Sequence, residues 1–509
     1  MFLALLLSIA FSLAVGIYAA RNKRAETVII PLLDVFQSIP ILGFFPFVIY
    51  AVVAVLPGQP GINLAIIILI FTSMSWNITF GVYEAVRSIP QDYIDLSQIS
   101  GSSSWERITS IYIPASLNRI AYNTQTSWAV GLFYLISSEI ISLGNANFKA
   151  SYGIGVAISQ YASSPSTFNE YIYSIIGLVI AVIIWQFVFL REFSLWSEKY
   201  KFVEEPRGTK KDYLLRFYSW VNQRSVSKLF LITHGKGVSR FTSSVSRFKR
   251  GFKYATLILV LVFAVFEVGA LVFTHHTSFS SLPSPGTIVS SEATVLVALA
   301  YSFVRIWYVF FIVVAVAVPA GIAIGLRMRL YNVAVPGLEV IASIPAPALL
   351  PLFVQDITHN GEAIAAIVIF LGMFWYVIFN VMAGIRSLPI EIFELNKEFQ
   401  VKRTAAWRNV YLPAIAGAFV TGAITAIGAA WNTLIVAEYF TTQNASGKTS
   451  VLTQVGTGIG KTIYVATLKG DILLLTLSVL SMTVLIVAFN LTVWRRVYHF
   501  VTRRYTYNR

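Results

Sequence analysis

The feature that most constrains this chain is a series of apolar stretches, each long enough to cross a lipid bilayer. A helix needs roughly 20 apolar residues to cross about 30 Å of hydrocarbon. A helix also satisfies its backbone hydrogen bonds within one segment, so each stretch is predicted to form a transmembrane helix. Eleven stretches recur along the 509 residues, near 2–20, 38–56, 64–83, 118–141, 171–190, 254–274, 297–325, 340–355, 362–383, 416–440 and 471–493.

Composition excludes a soluble globular domain. The mean hydropathy is +0.71, 56% of the residues are hydrophobic and only 12% are charged, too few to cover a water-exposed surface. We therefore predict an all-α polytopic membrane protein. The chain has no cysteine, which excludes disulfides and thiolate metal sites. We find no metal-ligand cluster and no set of residues typical of nucleophilic catalysis, so no catalytic residue, cofactor or enzymatic activity is predicted for this chain.

The positions of Lys and Arg predict which face is cytoplasmic. When the eleven stretches alternate across the membrane, 33 of the 38 basic residues fall on one face, which is therefore predicted to be cytoplasmic. This places the C-terminus inside and the N-terminus outside, in a multi-pass protein of the plasma membrane. The net charge of +15 is explained by this topology and by anionic lipid headgroups, and needs no nucleic-acid partner.

The chain contains an internal duplication. PLLDVFQSIPILGFFPF at 31–47 matches PGLEVIASIPAPALLPL at 336–352, at an offset of 305 residues. SMSWNITFGVYEAVRSIP at 73–90 matches GMFWYVIFNVMAGIRSLP at 372–389, at an offset of 299. Two homologous membrane bundles in the same orientation are therefore predicted.

Three segments follow from this duplication. Residues 1–191 form a first bundle of about five helices and 254–509 a second of about six. Between them, 192–253 is a basic cytoplasmic connector, either with amphipathic helices on anionic lipid or as a solvated tether. Met1 aligns with Ile306, so the first half has no counterpart of the stretch at 254–274. Either that helix is dispensable or the start codon lies upstream.

A long polar segment follows the third stretch of each half, at 88–116 and 387–415; we call these two segments the coupling loops. They share an acidic residue followed nineteen residues later by a proline. An acidic start suits a short helix, because it complements the helix dipole, and a glycine permits a tight turn. The residues singled out are Asp95, Leu96, Ser97, Gly101, Trp105 and Pro114 in the first loop, and Glu394, Leu395, Asn396, Gln400, Trp407 and Pro413 in the second.

This spacing resembles the cytoplasmic loop of the binding-protein-dependent ABC transporter permeases, which carries Glu-Ala-Ala, three residues, Gly and a later proline. The resemblance covers both halves, and the paired Ser-Ile-Pro motifs are similar to those of its nitrate, taurine and sulfonate branch. Gln400 stands where the family has glycine. This substitution puts the tight turn of the second loop in question and suggests unequal docking of the two loops or non-identical ATPases.

The resemblance implies a type I importer membrane subunit that works by alternating access. Its expected partners are two cytoplasmic ABC ATPase subunits or domains, which hold ATP and Mg²⁺, and an extracellular solute-binding protein. The coupling loops would transmit ATP-driven closure to the membrane helices. The resemblance implies a small solute, for which an anion is one candidate, and the sequence of this chain does not determine its identity.

Polar and aromatic residues within the stretches are candidates for a translocation path, because hydrocarbon penalises polar groups. They are Ser75, Trp76, Asn77, Glu139, Arg305, Trp375, Tyr376, Trp431, Asn432 and Glu438. Glu139 and Glu438 are equivalent in the two halves. They are interpreted either as path residues or as hydrogen-bonding groups that fix the bundle, and Arg305 either as an anion contact or as a side chain that reaches the outer surface.

Two alternatives to an importer subunit are an ion-coupled secondary transporter, which is also built from repeats, and a membrane sensor or scaffold. The stretch VGTGIGKT at 455–462 is within one residue of a phosphate-binding loop, but Val455 occupies the first glycine position. Gly458-Ile459-Gly460 aligns with Gly153-Ile154-Gly155, which has no Lys-Thr after it. We therefore interpret both as external turns between the last two helices of each half.

Overall fold

The computed structural model describes residues 1–143, 150, 152–162, 165–200, 285–356, 359–388, 390–443, 449–497 and 500–501. The described part is almost entirely helical, as predicted. The helices of the first half are α1 (Phe2–Arg21), α2 (Lys23–Ser38), α3 (Ile41–Val55), α4 (Gln59–Arg87), α5 (Gln91–Ile99), α6 (Ser104–Arg107), α7 (Ile113–Leu143), α8 (Ile154–Tyr161), α9 (Phe168–Ile184) and α10 (Arg191–Ser197).

The second half repeats this order, with one addition. Its helices are α11 (Pro285–Gly325), α12 (Met328–Ala342), α13 (Ala346–Asp356), α14 (Gly361–Arg386), α15 (Ile390–Glu398), α16 (Arg403–Ala406), α17 (Leu412–Glu438), α18 (Ile459–Lys469) and α19 (Ile472–Phe489). An antiparallel hairpin of β1 (Tyr439–Gln443) and β2 (Thr449–Gln454) follows α17. The sequence analysis did not predict this hairpin.

Four π-helical turns lie at equivalent places in the two halves. Ile108–Tyr112 leads into α7 and Trp407–Tyr411 into α17, and Trp185–Leu190 and Asn490–Trp494 follow α9 and α19. A π turn adds one residue to a helical turn and rotates the residues beyond it. The structure therefore repeats the duplication in its local irregularities as well as in its helix order.

Seven of the eleven predicted stretches coincide with helices that are long and apolar enough to cross a membrane. Three differ in form. The stretch at 38–56 is the 15-residue helix α3, and that at 118–141 is the 31-residue α7, whose first turns are polar. The stretch at 340–355 is α13, which meets α12 at 80°. The fourth, 254–274, and most of the connector 192–253 lie outside the described residues.

The bend between α12 and α13 follows from the Ser-Ile-Pro motif. Pro345 has no backbone N–H and disfavours helical geometry at Ile344, so the first helix ends at Ala342 and a new one begins at Ala346. Pro40 separates α2 from α3 in the same way. A stretch that looks continuous by hydropathy is therefore two helices.

Each half has α4 or its equivalent α14 at the centre, packed against α1 and α7 or against α11 and α17. Gly16 and Gly321 permit close approach, since a Cβ at either would lie 2.8 Å from Val82 or Val381. The halves also contact each other directly. Tyr171 on α9 is fully buried and donates a hydrogen bond of 2.9 Å to the carbonyl of Ala348 on α13.

Candidate functional site

The first helix of each coupling loop, α5 or α15, ends in the same type of turn. Gly101 follows α5 with φ of 75°, and Gln400 follows α15 with φ of 46°. The N–H of Ser102 donates to the carbonyl of Ser97 at 3.0 Å, and that of Val401 donates to Asn396 at 3.0 Å. Such a bond, closing over a left-handed residue, is a common helix ending.

The second coupling loop therefore forms the tight turn, although the replacement of glycine by Gln400 was expected to put this turn in question. Gln400 is the one residue other than glycine with positive φ in the described part of the chain. The backbone hydrogen bond to Asn396 holds it there, and its side chain is exposed, so no contact opposes the conformation. The two loops share a turn geometry although the turn residue is glycine in the first loop and glutamine in the second.

Apolar side chains on the coupling loops are exposed. Ile99 is 84% exposed and Phe399 is 74% exposed, each just before the turn. Trp105, Leu96 and Leu395 are exposed as well. Exposed apolar residues that cluster with polar ones mark surfaces that bind another protein. Ile99 and Phe399 were missed in the sequence analysis, because they do not align in the repeat: Ile99 precedes Gly101 by two residues and Phe399 precedes Gln400 by one.

The other predicted loop residues have structural positions. Asp95 accepts a hydrogen bond of 2.9 Å from Gln91, and Ser97 is buried with its hydroxyl on the carbonyl of Ile94. Pro114 and Pro413 each lie two residues after the π turn that leads into α7 or α17, inside a continuous helical run. Asn396 and Trp407 are partly buried, and Glu394 is exposed at the surface of α15.

A cavity of about 1360 Å³ lies between the two halves. Six of the ten predicted path residues line it, namely Trp76, Asn77, Trp375, Tyr376, Trp431 and Asn432. It extends to Arg87, the last residue of α4, directly before the first coupling loop. A cleft with aromatic walls and a few polar groups is typical of a small-molecule site.

The other four predicted path residues lie elsewhere. Ser75 is fully buried in the helix packing, and its hydroxyl donates to the carbonyl of Thr72. Glu139, Arg305 and Glu438 are also buried and do not line the cavity. The two acids lie near the ends of α7 and α17 that point away from the coupling loops, whereas Arg305 lies at the middle of α11 and pairs with Glu438. Hydropathy identified them as costly groups and could not show which neighbours satisfy them.

Glu438 is held by the start of α18. Its Oε2 accepts hydrogen bonds from the N–H groups of Gly460 at 2.7 Å and Lys461 at 3.3 Å. Its Oε1 accepts from the Ser302 hydroxyl at 2.5 Å and pairs with Arg305. Backbone N–H groups at a helix start form an anion site, and here the anion is a carboxylate of the same chain.

The glycines of VGTGIGKT make this contact possible. A Cβ on Gly458 would collide with the Glu438 carboxylate, whereas a Cβ on Gly456 would meet nothing within 4 Å. Lys461 turns back on its own loop, where its Nζ donates to the carbonyls of Val455 at 2.9 Å and Gly456 at 3.1 Å. The stretch predicted to be an external turn is the beginning of α18, and its N–H groups already bind Glu438.

The first half repeats the arrangement. The N–H of Gly155, at the start of α8, donates to Oε2 of Glu139 at 2.6 Å. In the second half Arg305 adds a further link, because it also donates to both oxygens of Glu362 at 2.9 Å. These acids therefore join α7 to α8 and α17 to α18.

Four charged residues among the described part of the chain line the cavity, namely Glu26, Arg87, Glu339 and Arg495. Arg87 pairs with Glu26 at 2.9 Å, and Tyr83 donates to the other oxygen of Glu26 at 2.6 Å. Arg495 is also engaged. The Glu339 carboxylate, on α12, makes no hydrogen bond or ion pair with any described residue. The sequence analysis missed Glu339, although the repeat places it opposite Asp34 within the quoted blocks PGLEV and PLLDV.

Comparison with known proteins matches two separate segments of the chain. The family model described as the binding-protein-dependent transport system inner membrane component matches residues 12–197 and 317–506. The chain is 30% identical over 147 residues to the taurine transport system permease protein of Escherichia coli, 29% of this chain and 53% of that protein.

Two further relatives have similar matches. The bicarbonate transport system permease protein of Synechococcus elongatus is 28% identical over 132 residues, 26% of this chain and 45% of that protein. The nitrate import permease protein of Leptolyngbya laminosa is 28% identical over 121 residues, 24% of this chain and 43% of that protein. These matches span about half the length of the relatives.

Proposed function

Because the chain belongs to the family of binding-protein-dependent transport system inner membrane components, we propose that it is the permease subunit of an ATP-binding-cassette importer. The observation that carries the proposal is the pair of coupling loops, which share one turn geometry and both expose apolar side chains close to that turn. Two matched docking surfaces suit two ATPase subunits or domains, one on each half.

The proposed mechanism is alternating access. An extracellular solute-binding protein delivers solute to the outer mouth, and ATP and Mg²⁺ bind and react on the partner ATPases. Their closure moves the coupling loops. Because the turn after α5 is joined to α7, and that after α15 to α17, movement of the loops is passed to helices that line the cavity. The coupling loops, the connector and the C-terminus then face the cytoplasm of the cell.

The solute is proposed to be small and to carry an acidic group. Taurine, bicarbonate and nitrate, named in the descriptions of the relatives, are small molecules or ions that share an anionic group. The cavity is large enough for a solute of this size. Selection in this type of importer is expected to begin at the binding protein, before the solute reaches the cavity.

The test is to place a charge on each coupling loop. Ile99→Asp and Phe399→Asp are expected to weaken co-purification with a co-expressed ABC ATPase partner by about tenfold or more, since exposed apolar anchors dominate such interfaces. Ile99→Val and Phe399→Leu are the matched controls and should bind normally. ATP-dependent uptake by proteoliposomes should fall in parallel in the Asp variants.

Two results would contradict the importer proposal. One is unchanged ATPase association and uptake in the Asp variants and also on replacement of Gly101 and Glu394. The other is uptake that continues in ATP-depleted vesicles under an ion gradient, which would favour the secondary transporter.

A further inference from the structure

We propose that the central cavity accepts a zwitterionic solute that carries a positively charged amine, with Glu339 as the counter-ion of that amine. The inference rests on the proposed transport function and narrows its substrate class. An acidic group alone would describe nitrate as well as taurine. The lining of the cavity separates these two chemistries.

Glu339 is the first observation. It lies on α12, about one turn before that helix ends at Ala342, and its side chain lines the cavity. Its carboxylate has no hydrogen-bonding or ionic partner among the described residues, while the other charged residues of the lining are engaged. An acid within a membrane bundle is costly unless it meets a counter-charge or water. A bound ammonium group would supply that counter-charge.

The aromatic walls are the second observation. Trp76 and Tyr134 come from the first half, and Trp375, Tyr376 and Trp431 come from the second. The faces of such rings attract an ammonium group, and the attraction is stronger where water is excluded. Several aromatic rings and one carboxylate are together sufficient to recognise an amine, and a cation in the wall would oppose its binding.

The charge balance of the lining is the third observation. Arg87 is neutralised by Glu26 at 2.9 Å, and Arg495 is engaged, so no unpaired cation lines the cavity in the described part of the chain. A simple anion would therefore meet an unpaired carboxylate, whereas both arginines of the described lining already have partners. A zwitterion can place its amine near Glu339 and its acidic group near amides and hydroxyls such as Asn77 and Thr126.

A matched pair of probes tests this inference on the purified full-length chain in nanodiscs. Taurine and ethanesulfonate share the sulfonate and differ in the amine, and tryptophans of the cavity report binding by fluorescence quenching. Taurine should quench saturably, and ethanesulfonate and nitrate should bind about tenfold or more weakly. Glu339→Gln should abolish this preference. Glu170→Gln, an exposed acid on α9 outside the cavity, is the matched control and should keep it.

Several outcomes would overturn the inference. They are equal binding of taurine and ethanesulfonate, the absence of saturable quenching by taurine, or an unchanged preference in Glu339→Gln. If Glu339→Gln fails to fold, as judged by gel filtration, Glu339→Asp must retain the preference because it keeps the charge. The assay needs no ATPase. If the preference for taurine is absent while ATPase association is intact, only the substrate class is overturned. If the preference is present while ATPase association and ATP-dependent uptake do not depend on the coupling loops, only the importer proposal is overturned.

Discussion

Gln400 shows how one residue can hold a conformation that its type disfavours. A residue with a Cβ in the left-handed region costs roughly 1 kcal/mol relative to glycine, because Cβ crowds the carbonyl oxygen. The hydrogen bond from Val401 to Asn396 closes the turn in spite of this cost. The turn is therefore a property of the repeated fold, and glycine at this site in the first half is the less strained solution.

Replacement of Gln400 by glycine should tighten the second coupling loop. Relief of about 1 kcal/mol of strain should slow hydrogen exchange at the Val401 amide by about fivefold, provided that the loop opens locally. Mass spectrometry of the solubilised protein measures this rate. Gly101→Ala should have the opposite effect on the Ser102 amide. Exchange that is unchanged or faster in Gln400→Gly would show that the turn is not strained.

At the scale of elements, the starts of α8 and α18 are fixed by acids from the preceding long helices. Each acid lies at the far end of its helix from the coupling loops and accepts hydrogen bonds from the next helix. A buried carboxylate that meets backbone N–H groups is satisfied without solvent, so it fixes the angle between two helices. This favours the structural interpretation of Glu139 and Glu438 that the sequence left open.

Loss of the acid at α18 should be severe. Glu438→Gln leaves Arg305 buried with one remaining carboxylate, that of Glu362, and should lower the free energy of unfolding by about 3 kcal/mol or more. The midpoint of thermal unfolding in detergent measures the effect. Adding Arg305→Met to the same chain should restore part of the stability, because the uncompensated charge is then gone.

Glu362→Gln is the comparison for this pair. The Glu362 side chain is 48% exposed, so water screens its ion pair and the expected loss is about 1 kcal/mol or less. If Glu438→Gln and Glu362→Gln destabilise the protein equally, the buried acid does not have the special role assigned to it here.

At the scale of the whole molecule, the two halves are alike in helix order but differ at equivalent places. Arg87 pairs with Glu26, whereas Arg386 lies over the ring of Tyr331, with 5.4 Å between guanidinium carbon and ring centroid. The hairpin of β1 and β2 follows only the second of the two equivalent long helices, α7 and α17, in the described residues. Arg87 and Glu26 line the cavity whereas Arg386 does not, so its two walls present different chemistry to one solute.

The contact between the halves should be measurable through Tyr171. Tyr171→Phe removes the hydrogen bond to Ala348 in a fully buried site and should cost about 1 kcal/mol of stability. Tyr173→Phe, two residues along the same helix and 68% exposed, should change stability by about 0.5 kcal/mol or less. Unfolding in detergent distinguishes the two. Equal values for both variants would argue that this bond does not stabilise the interface.

The sequence by itself determined the membrane class, the duplication, seven of the spans and the family. These properties depend on local composition and on repeated spacing, because a span needs only enough apolar residues in a row. The positions of the coupling loops followed from the same repeat. The relatives and the two family matches confirm the duplicated permease that the motifs predicted.

Only the tertiary structure decided what the polar residues inside the bundle contact. Hydropathy marks Glu438 and Arg305 alike as costly groups and leaves out Glu339, which directly precedes the stretch at 340–355. The first two satisfy each other and the start of α18, while Glu339 lines the cavity without a partner in the described chain. The difference comes from residues more than a hundred positions apart, such as Ser302 and Glu438, which only the packing of helices brings together.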